Sequence, residues 1–485
     1  MISFGSSRIT DKSQYGTSFG LVKTELMTKS IFIFFLAVMS ICAAYAQQPA
    51  PASIDGAWFG TLSPGQIKLR LVFHISSTEQ GLTASLDSID QNAKGIPVTA
   101  VTRAGDSLKM ELNGIHGVFE GKIDYELATI SGTWTQGGAT FPLSLKRVKD
   151  LAEILPKRPQ EPAKPYPYRE EDVTYENASA GITLAATLTL PSGKGPFPAV
   201  LLITGSGPQD RNESIMGHRP FLVLADYLTR RGIAVLRADD RGIGKSGGKF
   251  FTATTADFAT DAEAGVAYLK SRPEINRNKI GLVGHSEGAI IAPMLAARNK
   301  DVAFIVMLAG SGVPGDEVIA EQNARIAQAS GLSHEQAQAM AAQYREALTL
   351  VKAEKDNAVV EKKLREKFTG QMPEPQLNSQ IKSVTSPWFR YFISYDPAIA
   401  LSAVTCPVLA LSGSKDLQVP PDQNLPAIRK ALEAAGNGHF EIDDIPGLNH
   451  LFQTATTGAP AEYGQIEETM APAALKKIGD WLATQ

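Results

Sequence analysis

Two textures of hydrophobic patterning divide the chain. Between residues 54 and 148, short runs alternate apolar and polar positions, the period of two that lays one face of a strand on a core. Residues 67–73 (Ile-Lys-Leu-Arg-Leu-Val-Phe), 108–112 (Leu-Lys-Met-Glu-Leu) and 129–134 (Thr-Ile-Ser-Gly-Thr-Trp) are such runs, separated by Gly and Asn turns. No helical period competes. The pattern predicts a small all-β domain, an antiparallel barrel or sandwich, over residues 47–149.

From residue 173 onward strands alternate with helices. The spacing predicts strands at 182–190, 198–204, 233–237, 279–283, 302–308 and 407–411, and helices at 221–230, 255–270 and 289–298. Residues 198–204 are apolar without a break, as a strand buried on both faces requires. This alternation predicts a mostly parallel sheet with helices on both faces over 173–485. Between about 312 and 403 the alternation stops. Residues 317–328, 334–355 and 359–368 have the charge and period of helices, followed by the aromatic cluster Trp388-Phe389-Arg390-Tyr391-Phe392. Such an insertion between two strands reads as a helical cap. Pro156, Pro159, Pro162, Pro165 and Pro167 mark 150–172 as a semi-rigid linker.

Composition narrows the picture. Apolar content of 43% and charged content of 20% fit a folded globular protein, and a formal charge of −3 offers no basic face for nucleic acid. With 2 cysteines, Cys42 and Cys406, no disulfide framework is available, and the 7 histidines lack metal-ligand spacing, so neither metal nor cofactor is expected. Met27-Thr28-Lys29, an apolar run from 31 to 44 and Ala44-Tyr45-Ala46 have the form of an export signal, with residues 1–26 an extension before it. The mature chain then starts near Gln47, periplasmic or secreted, with no integral membrane domain. An uncleaved anchor and a lipoprotein are the alternatives, although Ile41 before Cys42 is bulky where a lipoprotein site needs a small residue.

The candidate chemistry starts at Gly284-His285-Ser286-Glu287-Gly288. A strand pattern runs into it and a small-residue helix pattern leaves it, which is the setting of a nucleophile elbow rather than of an incidental Gly-rich turn. A serine needs a base within reach and a group to orient the base. His439 and His450 follow the cap. His439 starts a strand, whereas His450 lies in a loop beyond that strand's end, where parallel sheets place chemistry. Asp416 leaves the end of strand 407–411 through Ser412-Gly413-Ser414-Lys415 and is the candidate acid. Asp443 and Asp444 are nearer in sequence but sit at a strand end facing solvent. The oxyanion donors expected are the backbone N–H of Glu287 and that of Ser206, with Gly207 second, in the loop after strand 198–204. Asp239-Asp240-Arg241-Gly242-Ile243-Gly244-Lys245-Ser246 is not a phosphate loop, since the first glycine of that motif is Asp239 here. Asp240 and Arg241 are expected to hold this turn to the neighbouring active-site loop.

These strings, together with Ile203-Thr204-Gly205-Ser206-Gly207-Pro208-Gln209-Asp210-Arg211, resemble those of bacterial exported α/β hydrolases, the esterase and serine-aminopeptidase-like group with an N-terminal β domain. The resemblance covers 173–485. It implies an α/β-hydrolase fold and a serine hydrolase acting through Ser286, His450 and Asp416 on a small-molecule ester, short to medium in its acyl chain. An aminopeptidase or amidase of the same fold is the first alternative, with Glu317 and Glu321 as candidates to hold a substrate amine. A glycan- or lipid-binding protein with weak hydrolase activity is the second. The sequence sets no oligomeric state.

Overall fold

A computed structural model describes residues 53–485, apart from 64–67, 92, 152–153, 155 and 373. The export-signal segment at 27–46 and the preceding extension lie outside the described residues.

The first body is one nine-stranded sheet, entirely antiparallel. Its strands are β1 (Gly56–Leu62), β2 (Leu69–Thr78), β3 (Gly81–Ser88), β4 (Ala93–Pro97), β5 (Ala100–Ala104), β6 (Ser107–Leu112), β7 (Gly117–Asp124), β8 (Thr129–Gln136) and β9 (Ala139–Val148), in the order β4-β3-β2-β1-β9-β8-β7-β6-β5. The period-two pattern is realised side chain by side chain. In β6, Leu108, Met110 and Leu112 are buried while Ser107 and Lys109 are exposed. Phe73 on β2 and Phe119 on β7 stand four places apart in that order. A flat sheet would part them by about 19 Å, yet their ring centroids are 5.8 Å apart. The sheet therefore curls over its own apolar face, with Trp134 closing the cluster 6.3 Å from Phe73. All nine strands share one sheet, so the sandwich alternative falls.

The second sheet has eight strands: β10 (Arg169–Asn177), β11 (Ile182–Leu190), β12 (Phe197–Ile203), β13 (Ala234–Ala238), β14 (Ile275–His285), β15 (Phe304–Leu308), β16 (Val408–Gly413) and β17 (Phe440–Ile445). Their order is β10-β11-β13-β12-β14-β15-β16-β17. β11 pairs antiparallel with both β10 and β13, and every other pair is parallel. Helices α1 (Pro220–Arg230), α2 (Thr255–Ser271) and α3 (Gly288–Ala296) connect the first parallel strands. Strand alternation sends Leu201 of β12 into a core shared with α2 and α3, and its neighbours Val200 and Leu202 into a core shared with α1. Five of the eight strands bury most of their residues, and in β12 and β15 this accounts for sequences with no polar side chain.

Between β15 and β16 lie the cap helices α4 (Gly315–Ala329), α5 (His334–Ala353), α6 (Asn357–Phe368), α7 (Glu374–Val384), α8 (Pro387–Ser394) and the short α9 (Pro397–Leu401). The periodicity of 374–384 is thin, only Leu377 and Ile381 being buried, so α7 is invisible to pattern alone. The aromatic cluster is itself helical. Pro387 starts α8 and the Ser386 hydroxyl caps it by accepting the Phe389 N–H at 3.2 Å. Three more helices complete the body: α10 (Pro421–Ala434), α11 (Pro460–Tyr463) and α12 (Pro472–Leu482).

The Pro-rich stretch departs from the reading of it as a linker. β10 begins inside it, at Arg169. Ahead of β10, the Arg158 guanidinium donates to the carbonyls of Met216, Gly217, Gly464 and Ile466, and the Gln160 amide bonds both ways with Thr469 and Met470. The segment is a strap fastened to the body of the eight-stranded sheet. Arg70 of β2 reaches the same Gly464 carbonyl at 3.0 Å. Among the described residues no helix is long and apolar enough to cross a membrane.

Candidate active site

The centre of the site is the turn between β14 and α3. Ser286 stands there alone with φ of 53°, a left-handed conformation that a serine adopts only under constraint. The constraint is close packing. A Cβ on Gly284 would come within 2.0 Å of the Gly288 carbonyl, and one on Gly288 within 2.1 Å of the Ile203 carbonyl. Only glycines let the turn fold this tightly against β12. The Ser286 N–H donates to the Leu308 carbonyl at 2.8 Å and pins the turn to β15.

The base and acid loops arrive from the neighbouring strands. Asp416 and His450 are both buried, with Nδ1 of His450 2.8 Å from Oδ2 of Asp416. The other oxygen of Asp416 accepts the N–H groups of Gln418 and Val419 at 2.8 and 2.9 Å. A carboxylate so engaged makes Nδ1 the protonated nitrogen of His450 and leaves Nε2 as the free one. The two loops are stitched together by the Lys415 N–H to the Leu448 carbonyl and the Ser414 N–H to the Ile445 carbonyl. The rivals are elsewhere. His439, Asp443 and Asp444 are exposed, and Asp443 pairs with Lys477 at 3.2 Å.

The loop after β12 passes directly over the serine: a Cβ on Gly205 would lie 3.2 Å from the Ser286 Cβ. Ser206 and Gly207 follow on the exposed side of that loop, Gly207 with φ of 97°. Asp240 holds the loop from beneath, accepting the Thr204 hydroxyl at 2.7 Å and the Gln209 N–H at 2.9 Å. Burial pushes its carboxyl up to about 8 against the pull of those two donors. Next to it Asp239 grips Arg211 through the backbone N–H and the guanidinium; burial opposes its ionisation, but Arg211 outweighs burial and holds it below the ordinary range. Arg241 turns away to Asp261 at 2.6 Å.

Two further groups were not singled out by sequence. Glu213, itself at φ of 52°, is buried; one of its oxygens accepts the Gly205 N–H at 2.7 Å and lies 2.9 Å from Nδ1 of His285. Nε2 of His285 faces the His450 carbonyl at 3.0 Å, and the two imidazole rings lie 4.9 Å apart. Both His285 nitrogens therefore meet oxygens, an environment that favours the doubly protonated ring. Burial opposes that charge, but the Glu213 carboxylate outweighs it and holds the imidazole above its ordinary value. One ion pair thus joins the loop over the serine, the elbow and the base loop. No local motif signals it, because residues 72 apart in sequence make it.

The second is the side chain of Glu287. Its N–H was the expected donor, but its carboxyl is fully buried between the Thr255 hydroxyl at 2.6 Å and the Trp388 indole N–H at 2.8 Å. Burial pushes the carboxyl up to about 7. Trp388 belongs to α8, so the cap is fastened to the residue after the serine. Of the cap acids considered for amine binding, Glu321 is paired with Arg325 at 2.8 Å. Among the described residues no group of three or more His, Cys, Asp or Glu is arranged to hold a metal ion.

Several known proteins are similar to this chain. The family profile described as X-Pro dipeptidyl-peptidase (S15 family) matches residues 180–442, more than half of the chain. Esterase EstD of Thermotoga maritima is 25% identical over 422 residues, covering 84% of this chain and 92% of its own. Among solved structures, the Pyrococcus furiosus esterase Pf2001 aligns with a TM-score of 0.40 at 18% identity, covering 65% of this chain and 93% of its own. The protein PA2218 of Pseudomonas aeruginosa aligns with a TM-score of 0.41 at 18% identity over 67% and 96%.

Proposed function

This chain belongs to the X-Pro dipeptidyl-peptidase (S15) family of α/β hydrolases, and from that premise we propose that it is a serine esterase cleaving carboxylic esters of short to medium acyl chain. The observation that carries the proposal is the buried His450–Asp416 pair, whose histidine also touches the elbow that holds Ser286.

In this reading Nε2 of His450 takes the Ser286 proton as Oγ attacks the ester carbonyl. Asp416 fixes the tautomer and stabilises the imidazolium that forms. Glu287 N–H, with Ser206 N–H or Gly207 N–H, receives the tetrahedral oxyanion. His450 then returns the proton to the leaving alkoxide, and water, activated by the same base, releases the acid. The Glu213–His285 contact ties the loop over the serine and the base loop to the elbow, which holds the proposed donors and base in place. EstD, similar along most of the chain, is named an esterase, which supports the ester reading.

A peptidase is the second reading, favoured by the family's own description. A panel of nitrophenyl acyl esters and aminoacyl anilides, run on the chain from Gln47 beside Ser286→Ala, separates the two. Ester turnover that Ser286→Ala removes supports the esterase. Anilide turnover alone moves the reading to peptidase. We also place the mature enzyme outside the cytoplasm, on the strength of the 27–46 segment; N-terminal sequencing of secreted protein beginning near Gln47 tests that.

A further inference from the structure

The cap is not solid. Helices α4 to α8 line a pocket of about 390 Å³ that opens to solvent on one side, within the ~300–1,000 Å³ range of small-molecule sites. None of Ser286, Asp416 or His450 lines it. Its wall is Ile319, Met340, Leu348, Leu364, Phe368 and Phe389, among others, with the neutral polar side chains of Gln343, Gln371, Gln380, Ser383 and Tyr344 beside them. Not one Asp, Glu, Lys, Arg or His is among the described lining residues.

That absence is informative because the cap surface around it is dense with charge. Arg365 pairs with Glu361 and Glu374, Lys352 with Asp316, and Arg325 with Glu321 and Asp422. These charged pairs lie on the helices, and none of their side chains lines the pocket. Water filling it would find few partners on the aliphatic walls.

We propose that this cavity is a binding site for a neutral aliphatic amphiphile, a single alkyl chain ending in a hydroxyl or ester, distinct from the Ser286 site. The alkyl chain packs on the aliphatic wall. The head hydrogen-bonds to the glutamine amides and Tyr344, which is 37% exposed and stands at the mouth. A carboxylate head is refused, since it would lose its hydration with no cation to receive it. The site is also wired to the elbow by adjacency, because Phe389 lines the cavity while Trp388, its neighbour on α8, bonds to Glu287.

The test uses Ser286→Ala, so that binding is measured without turnover, and titrates 1-decanol and decanoate by calorimetry with native mass spectrometry for stoichiometry. The expected result is one molecule of decanol per chain, with decanoate at least 10-fold weaker. Ala347→Trp, which fills the space, and Met340→Lys, which puts a charge in it, should each weaken decanol at least 10-fold. In the Ser286 background, both variants should keep nitrophenyl acetate turnover and an unchanged circular dichroism spectrum, and the variant that folds carries the test. Equal binding of decanoate, absence of decanol binding, or decanol binding indifferent to the folded variant would each overturn the proposal. Because binding is read on Ser286→Ala, it stands or falls separately from the esterase reading.

Discussion

The two sheets of this protein solve the same burial problem and differ in what they bury. In the curled sheet of residues 56–148, the buried polar side chains among the described residues are Ser88 and Asp90, the latter paired with Arg70. The rest of its interior is aliphatic and aromatic, centred on Phe73, Phe119 and Trp134. The body of the eight-stranded sheet buries Glu213, Asp239, Arg241, His285, Glu287, Asp416 and His450, with Arg237 and His218 besides. The first seven lie at or just beyond the carboxyl ends of its parallel strands. Burying ionisable groups is costly unless each is paired. A fold that concentrates them in one place and pairs them at 2.6–2.9 Å is maintaining chemistry there, while the first sheet is maintaining only its shape.

The largest effects expected from this contrast fall on the buried polar cluster. Ser286→Ala and His450→Ala should each lower ester kcat by on the order of 10⁶ with the fold intact, because the groups act as a unit. Asp416→Asn should lower it by about 10⁴ by offering His450 the wrong partner. Initial rates on nitrophenyl acetate at enzyme concentrations that reach these limits decide it, and an active His450→Ala would remove the triad from the comparison.

Next comes a purely structural loss. Phe119→Ala should destabilise the first sheet by about 3–5 kcal/mol, read as a shifted urea midpoint. The kcat of the folded fraction should not change. A matching fall in kcat would mean that the two sheets do not divide shape from chemistry.

A smaller effect is a change in pH dependence. Glu287 titrates at about 7 in the folded protein, above its free value. Its neutral form therefore favours the fold. That contribution is full below the free carboxyl range near ~4.3 and is lost as pH rises to and through 7. Glu287→Gln stays neutral, so stability should fall less between pH 4.5 and 8 than in the parent. Asp240, pushed up to about 8, retains the remainder of the slope. Identical slopes for parent and variant in urea titrations across that range would refute the assignment.

The smallest effect is expected in the first sheet's half-exposed ion pair. His74 lies 3.0 Å from Asp87, and His74→Ala should move stability by less than about 0.5 kcal/mol and turnover not at all. A measurable loss of ester hydrolysis would give the first sheet a part in the chemistry.

Sequence by itself determined what local physics determines. Period-two runs gave the strands of the first sheet. Unbroken apolar runs gave the parallel strands, because both their faces are covered. The elbow was readable because its two glycines are demanded by contacts within five residues of the serine or with the strand beside it. The meeting of Asp416 with His450 was foreseeable because strand ends are legible and the loops beyond neighbouring parallel strands lie side by side. What only the tertiary structure decided depends on contacts between distant segments. The curl of the first sheet rests on Phe73 meeting Phe119 across strands that do not pair. The stretch read as a linker became a strap because carbonyls about 300 residues on accept Arg158. The Glu213–His285 ion pair and the Glu287–Trp388 bond join residues 72 and 101 apart. No periodicity encodes such pairs, since it reports which side of an element faces the core and not which distant group waits there.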